Sequence, residues 1–229
     1  MSRPASVELA GRVLSPDERE RAARFVRAAD RRRFILARGM LRHVLAAYAG
    51  RRPDAIAFEY LPHGKPRLAG PPRALEFNLS HSNDIVVCAC ANGREVGVDV
   101  EWLRPITNLA GVASVAFSRA EQEALSALDE HSTLLGFFNC WTRKEAYVKA
   151  LGDGLSMPLD VFDVSLRPGD AAKLLANRLD PAEVDRWSLS AVCPANGAVG
   201  ALAVRGRAPR ISVRPWRFPG DSATEAAGT

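Results

Sequence analysis

The chain runs twice through the same order of patterns, helical periodicity first and strand periodicity after, which limits it to a mixed fold. In the first pass, Ser15-Pro16-Asp17-Glu18 combines an N-cap serine, a proline at the first helical position and acids in the first turn. A helix is expected to start there, and a second over 31–49, closed by Gly50. Strand patterns follow in AIAFEY (55–60), EFNLS (76–80), DIVVCACA (84–91) and EVGVDVEW (95–102), with turn residues at 62–64, 70–72 and 92–93. In the second pass, the capping box Ser118-x-x-Glu121 opens a helix to about residue 128, and a longer helix covers 133–150, ended by Gly152. VFDVSL (161–166), WSLSAV (187–192) and GAVGALAV (197–204) complete it. The expectation is α+β: two similar subdomains related by a pseudo-twofold axis, 1–103 and 104–217, with a small polar tail over 218–229 left disordered.

EVGVDVEW sits at the seam between the two passes. Val96, Val98 and Val100 alternate with Gly97, Asp99 and Glu101, so both carboxylates leave one face of the strand. In the long helix, Trp141, Glu145 and Lys149 fall four apart along one stripe. Two carboxylates from a strand and one from a helix make an all-oxygen site that suits Mg²⁺ and leaves positions for phosphate oxygens. Lys149 adds the positive charge that an anionic ligand needs.

Bulk properties exclude more than they assign. With 229 residues, 47% hydrophobic and 25% charged, the chain can bury a core as an ordinary globular protein. The net charge of +5 rests partly on arginines 19, 21, 24, 27, 31, 32, 33, 38 and 42, either a solvated helix face or a field for phosphates or an acidic protein. No nucleic-acid motif accompanies them, so no nucleic-acid partner is expected. Cys88, Cys90, Cys140 and Cys193 form no C-x-x-C pair and read as reduced core residues. No apolar signal core opens the chain and no stretch approaches about 18 uninterrupted apolar residues, so neither export nor a membrane partner is expected, and the expected location is cytoplasmic.

Four strings then stand in a telling order: GKP (64–66), FNLSHS (77–82), GVDVE (97–101) and WTRKEAYVKALGDGL (141–155). In order and spacing they resemble the 4′-phosphopantetheinyl transferases of the surfactin-synthetase-activating type. The resemblance spans most of the chain, weakening before Arg31 and after Leu166. It implies that family's fold and transfer of the phosphopantetheine arm of coenzyme A to a serine of an acyl, polyketide or peptidyl carrier protein, with Mg²⁺ as cofactor. As a chain of two units, it implies a monomer.

Carried over residue by residue, the resemblance makes Asp99, Glu101 and Glu145 metal ligands. Glu145 is ligand first and general base second. Lys149 becomes the phosphate contact and charge stabiliser, with a surface lysine as its alternative. Ser80 and His81 become holders of the 3′-phosphate, Lys65 a nucleotide contact, and Arg33 a phosphate-binding arginine whose register Arg31 and Arg32 leave open. Arg19 and Arg21 fall near basic positions of the family. Lys144 should point away from the stripe, by the helical step of about 100° per residue, to solvent or a neighbouring helix. Trp141 packs to fix the helix. The apolar connection 103–118 is assigned the carrier contact, with Arg104 or Arg119 meeting its acids; burial is the alternative. Two other readings remain: a Mg²⁺-dependent phosphoesterase using the same acids, and a non-catalytic coenzyme A-binding module, against which the full set of acids argues.

Overall fold

Residues 4–70, 74–152 and 157–218 are described by a computed structural model. The expected tail beyond Phe218 and the GDGL string after Gly152 lie outside the described residues. Two compact units divide the chain, one within Met1–Ala57 and Ile211–Thr229, the other Phe58–Arg210. The expected boundary near residue 103 does not coincide with either division, because the strand before it hydrogen-bonds to the last strand of the chain.

The smaller unit is helical: α1 (Pro4–Arg12), α2 (Pro16–Ala23) and α3 (Ala28–Ala49), with a short 3₁₀ turn at Pro53–Ala55. Helix α2 begins at Pro16 as expected, and the Ser15 N–H donates to Glu18 Oε2 at 3.0 Å. Glu18 is buried and also receives Arg38 Nε and Arg42 Nε, each at 2.6 Å. Arg42, buried too, donates to the carbonyls of Pro53 (3.2 Å) and Ile56 (2.7 Å). Part of the arginine run is thus the polar core of this unit. Helix α1, not anticipated from the sequence, packs on α3 at Gly39, where a Cβ would stand 2.5 Å from that of Ala10. Gly50 ends α3 at φ 62°, a left-handed cap that glycine adopts without strain. Phe218 is buried rather than part of a free tail, its ring 6.0 Å from that of His43 on α3.

The larger unit is α+β. An antiparallel pair, β1 (Phe58–Tyr60) with β2 (Pro66–Leu68), precedes the hairpin of β3 (Leu75–Ser82) and β4 (Ile85–Asn92). Then come β5 (Val96–Trp102), α4 (Leu109–Ala116), α5 (Arg119–Ser126) and α6 (Glu130–Leu151). The pair β6 (Phe162–Val164) and β7 (Leu174–Asn177), the turn α7 (Glu183–Arg186), β8 (Trp187–Val192) and β9 (Ala198–Arg205) complete it. One antiparallel sheet runs β5-β9-β8, with Asp99 opposite Ala201 and Glu101 opposite Val199. Phe138, Tyr147, Phe162, Leu174 and Trp187 lie in the buried core that α6 forms with its neighbours.

Two details fix α6. Gly97 faces it so closely that a Cβ there would lie 2.1 Å from the Ala146 carbonyl oxygen. Lys144 is fully buried, paired with Glu121 of α5 at 2.7 Å and donating to the carbonyls of Leu159 (2.7 Å) and Phe162 (2.6 Å). Glu121 closes the capping box on the Ser118 N–H and accepts from the Val164 N–H at 2.8 Å. Of the two destinations expected for Lys144, the neighbouring helix is found and solvent is not: every hydrogen of its ammonium is needed inside.

Candidate active site

Strand β5 carries the acids, β3 holds them and α6 supplies the cation. Side chains Asn78, Ser80 and Ser82 of β3 reach β5 in step. Asn78 Oδ1 accepts from the Val98 N–H (3.0 Å), Ser80 Oγ from Val100 (3.3 Å) and Ser82 Oγ from Trp102 (3.2 Å). Both serine hydroxyls then donate onward, Ser80 to Asp99 Oδ1 at 2.8 Å and Ser82 to Glu101 Oε2 at 2.7 Å. Lys149 Nζ stands 2.5 Å from Asp99 Oδ1 and 3.2 Å from Ser80 Oγ. Arg104 Nη1 donates to Glu101 Oε2 at 2.9 Å.

Asp99 is only 4% exposed, and its Oδ2 has no hydrogen-bond partner among the described residues. Burial pushes its carboxyl above the usual carboxylate range, against the pull of Lys149 and Ser80. Glu145, half-buried one turn before Lys149, is raised as well: burial comes first, and the charges of Asp99 and Glu101 add to it. Two acids raised by burial, with one buried oxygen unsatisfied, form a site short of positive charge.

The donor chemistry therefore fits Mg²⁺, which takes oxygen ligands. Asp99, Glu101 and Glu145 are the residues that would hold it. Among the described residues no three acidic, histidine or cysteine side chains meet around one point as ligands. In this conformation Lys149 and Arg104 take up carboxylate oxygens instead.

The structure rearranges the other expected contacts. Ser80 is buried, with its hydroxyl turned to Asp99 and the β5 backbone, where it orients a carboxylate. Neighbouring His81 is exposed, as alternation along a strand requires. Lys65 turns its ammonium to the carbonyls of Ala150 (2.7 Å) and Val96 (3.3 Å), capping the end of α6, and burial lowers its pKa. Arg33 belongs to the smaller unit and contacts Asp30 on its own helix at 3.2 Å. Trp141 stacks on Phe137 with centroids 6.2 Å apart, the packing role expected of it. The connection 103–118 contains α4, which buries Ala113 and Ala116 and leaves Val115 83% exposed, so the segment is buried on one face and open on the other. A groove of about 520 Å³ lies elsewhere, lined by α5 and the β6–β7 pair, and includes none of the three acids.

Gly97 and Ser82 were missed as site residues. A glycine inside a strand marks close backbone approach, which could have flagged Gly97. Nothing local shows that Ser82 would meet Glu101, nineteen residues later.

Comparison with known proteins agrees with this architecture. A family model described as the 4′-phosphopantetheinyl transferase superfamily matches residues 95–202, and one described as 4′-phosphopantetheinyl transferase, N-terminal, matches residues 2–93. The chain is 40% identical over 196 residues to the 4′-phosphopantetheinyl transferase HetI of Nostoc sp. (strain PCC 7120), covering 85% of this chain and 79% of that protein. It is 34% identical over 205 residues to the 4′-phosphopantetheinyl transferase Sfp of Bacillus subtilis (strain 168), covering 86% and 90%. The 4′-phosphopantetheinyl transferase AcpT of Escherichia coli (strain K12) is 37% identical over 144 residues, covering 63% and 68%. An α+β chain with its acids on β5 and a lysine helix against them thus belongs to the 4′-phosphopantetheinyl transferase superfamily.

Proposed function

We propose that this chain transfers the phosphopantetheine arm of coenzyme A to a serine of an acyl, polyketide or peptidyl carrier protein, releasing 3′,5′-ADP. The observation that carries the reading is the buried, partly unsatisfied Asp99 beside Glu101, Glu145 and Lys149, in a chain of this family. The carrier serine oxygen bonds to the phosphorus that bears pantetheine. The bond from that phosphorus to the bridging oxygen breaks, and the electron pair leaves with 3′,5′-ADP.

Mg²⁺, when bound, offsets the charge of the diphosphate that would repel the serine. The chain's own residues do the rest. Lys149 moves from Asp99 toward the diphosphate and stabilises the departing charge. Glu145 takes the serine proton, directly or through a water. His81, exposed beside the acids' strand, meets the 3′-phosphate. The HGKP backbone contacts the nucleotide while Lys65 holds the end of α6.

The carrier docks on the exposed face of α4, where Val112 and Val115 are presented one turn apart and Arg119, just beyond, is open to solvent. The enzyme works as a monomer in the cytoplasm, where its four cysteines stay free as they are here. No helix among the described residues is long and apolar enough to cross a membrane.

The test is incubation of the full chain with coenzyme A, Mg²⁺ and a panel of purified apo carriers. Each carrier should gain one phosphopantetheine by intact mass, and 3′,5′-ADP should match it mole for mole. A carrier with its serine changed to alanine should give neither. Nucleotide release without carrier would point to phosphoester hydrolysis, and binding without release to a coenzyme A-binding module.

A further inference from the structure

The polar ladder between β3 and β5 has a chemical direction. Asn78, Ser80 and Ser82 meet the N–H groups of Val98, Val100 and Trp102 at a constant offset of twenty residues. The other edge of β5 pairs with β9. Side chains on β3 thus stand where the carbonyls of a neighbouring strand would be. A hydroxyl accepts and donates at once. Having accepted from the backbone, Ser80 and Ser82 each have one hydrogen left, and each gives it to the carboxylate one residue earlier in β5.

From this geometry we infer that Ser82 is a positioning residue for Glu101, tying its carboxylate to the β5 backbone through the Trp102 N–H. The inference rests on reading Glu101 as a metal ligand. Glutamate has three side-chain torsions, and an exposed one spends its time in many rotamers. Here Ser82 is buried and its hydroxyl is itself anchored on the Trp102 N–H, so it holds Glu101 Oε2 in one place. Arg104 reaches the same oxygen, but its side chain is 54% exposed, and a solvated ion pair positions little. Ser80 does the same for Asp99, but it also touches Lys149; Ser82 isolates the effect.

The experiment uses the full chain with Mn²⁺ as the metal probe, free Mn²⁺ being followed by electron paramagnetic resonance, with and without coenzyme A. Ser82→Ala should weaken Mn²⁺ binding about 10–100-fold, the usual consequence of removing a group that orients a ligand. Ser82→Thr, which keeps the hydroxyl, should bind close to wild type. Thermal unfolding in EDTA sets a temperature at which every variant is folded, so that lost packing is not read as lost positioning. Ser82→Ala binding Mn²⁺ as tightly as wild type overturns the role of Ser82 while leaving the metal site standing. Ser82→Thr binding as weakly as Ser82→Ala overturns the role of the hydroxyl. Wild-type chain that takes up no Mn²⁺ overturns the metal reading, and with it the inference.

Discussion

Replacing Gly97 with alanine tests how the fold sets the spacing of the site. A Cβ at this position would stand 2.1 Å from the Ala146 carbonyl oxygen, 2.4 Å from the Ala150 nitrogen and 2.9 Å from its Cα. All three are backbone atoms of α6, so no side-chain rotation relieves the overlap. Bringing the shortest contact back to ordinary van der Waals distance requires α6 to withdraw from β5 by about 1.3 Å. Glu145 and Lys149 ride on that helix, and Lys149 Nζ is now 2.5 Å from Asp99 Oδ1. A misplacement of about 1 Å in a reacting group costs about 10²-fold in rate. Overpacking costs about 1–3 kcal/mol, which for a chain of this size lowers Tm by roughly 2–12 °C. The assay is carrier modification by mass spectrometry, at a temperature where circular dichroism shows the variant folded. Gly97→Ala with wild-type turnover and wild-type Tm would refute the claim that this glycine sets the distance from α6 to β5.

Other substitutions separate packing from chemistry. Gly11→Ala on α1 meets nothing nearer than Ile35 Cγ2 at 4.0 Å, so it should stabilise by about 0.5–1 kcal/mol; a lower Tm would show that helix constrained in some other way. Lys144→Met breaks a fully buried pair with Glu121 and should cost about 3–5 kcal/mol, whereas Lys149→Met, whose own side chain is 30% exposed, should lower Tm less but lower kcat about 10²–10³-fold. Equal effects of the two on stability would erase the distinction. For Asp99→Asn in EDTA, burial raises the folded-state pKa of Asp99, so its contribution to stability is full below the unfolded value and lost as pH rises through the folded one. The variant should therefore match or exceed wild-type Tm at neutral pH, with the gap closing as pH falls toward about 4, and Mg²⁺ should raise Tm only in wild type. A variant less stable than wild type at neutral pH would mean that the Lys149 pair outweighs the burial of Asp99.

Much of this was legible in the chain because it is local. The period-two run at 95–102, the proline after Ser15, the capping box at Ser118 and the glycines closing α3 and α6 all appear where patterns placed them. What failed to read is what depends on distant partners. The segment 103–118 lacks charges along a helical face, so α4 passed for a connection. Pairing of β5 with β9 joins residues about a hundred positions apart, and no pattern in either strand specifies its neighbour. Ser80 looked like a phosphate donor because a serine at a strand end can be one. Only the placement of β5 shows its hydroxyl already committed.

Lys144 and Lys149 show where pattern gives way to geometry. Both are lysines of one helix beside a buried acid, and the string KEAYVK does not rank them. Around Glu121 every requirement is met: the Ser118 and Val164 amides and the Lys144 ammonium reach its two oxygens, and the remaining hydrogens of Lys144 go to carbonyls. A buried pair satisfied in this way has nothing left to offer a ligand, and its service is to tie α5, α6 and β6 together. Around Asp99 the requirements are not met. One oxygen is unpartnered, burial holds the carboxyl above its usual range, and the lysine opposite is 30% exposed and able to leave. That residual need for positive charge is one that a divalent cation could meet, and it sets Asp99 apart from Glu121.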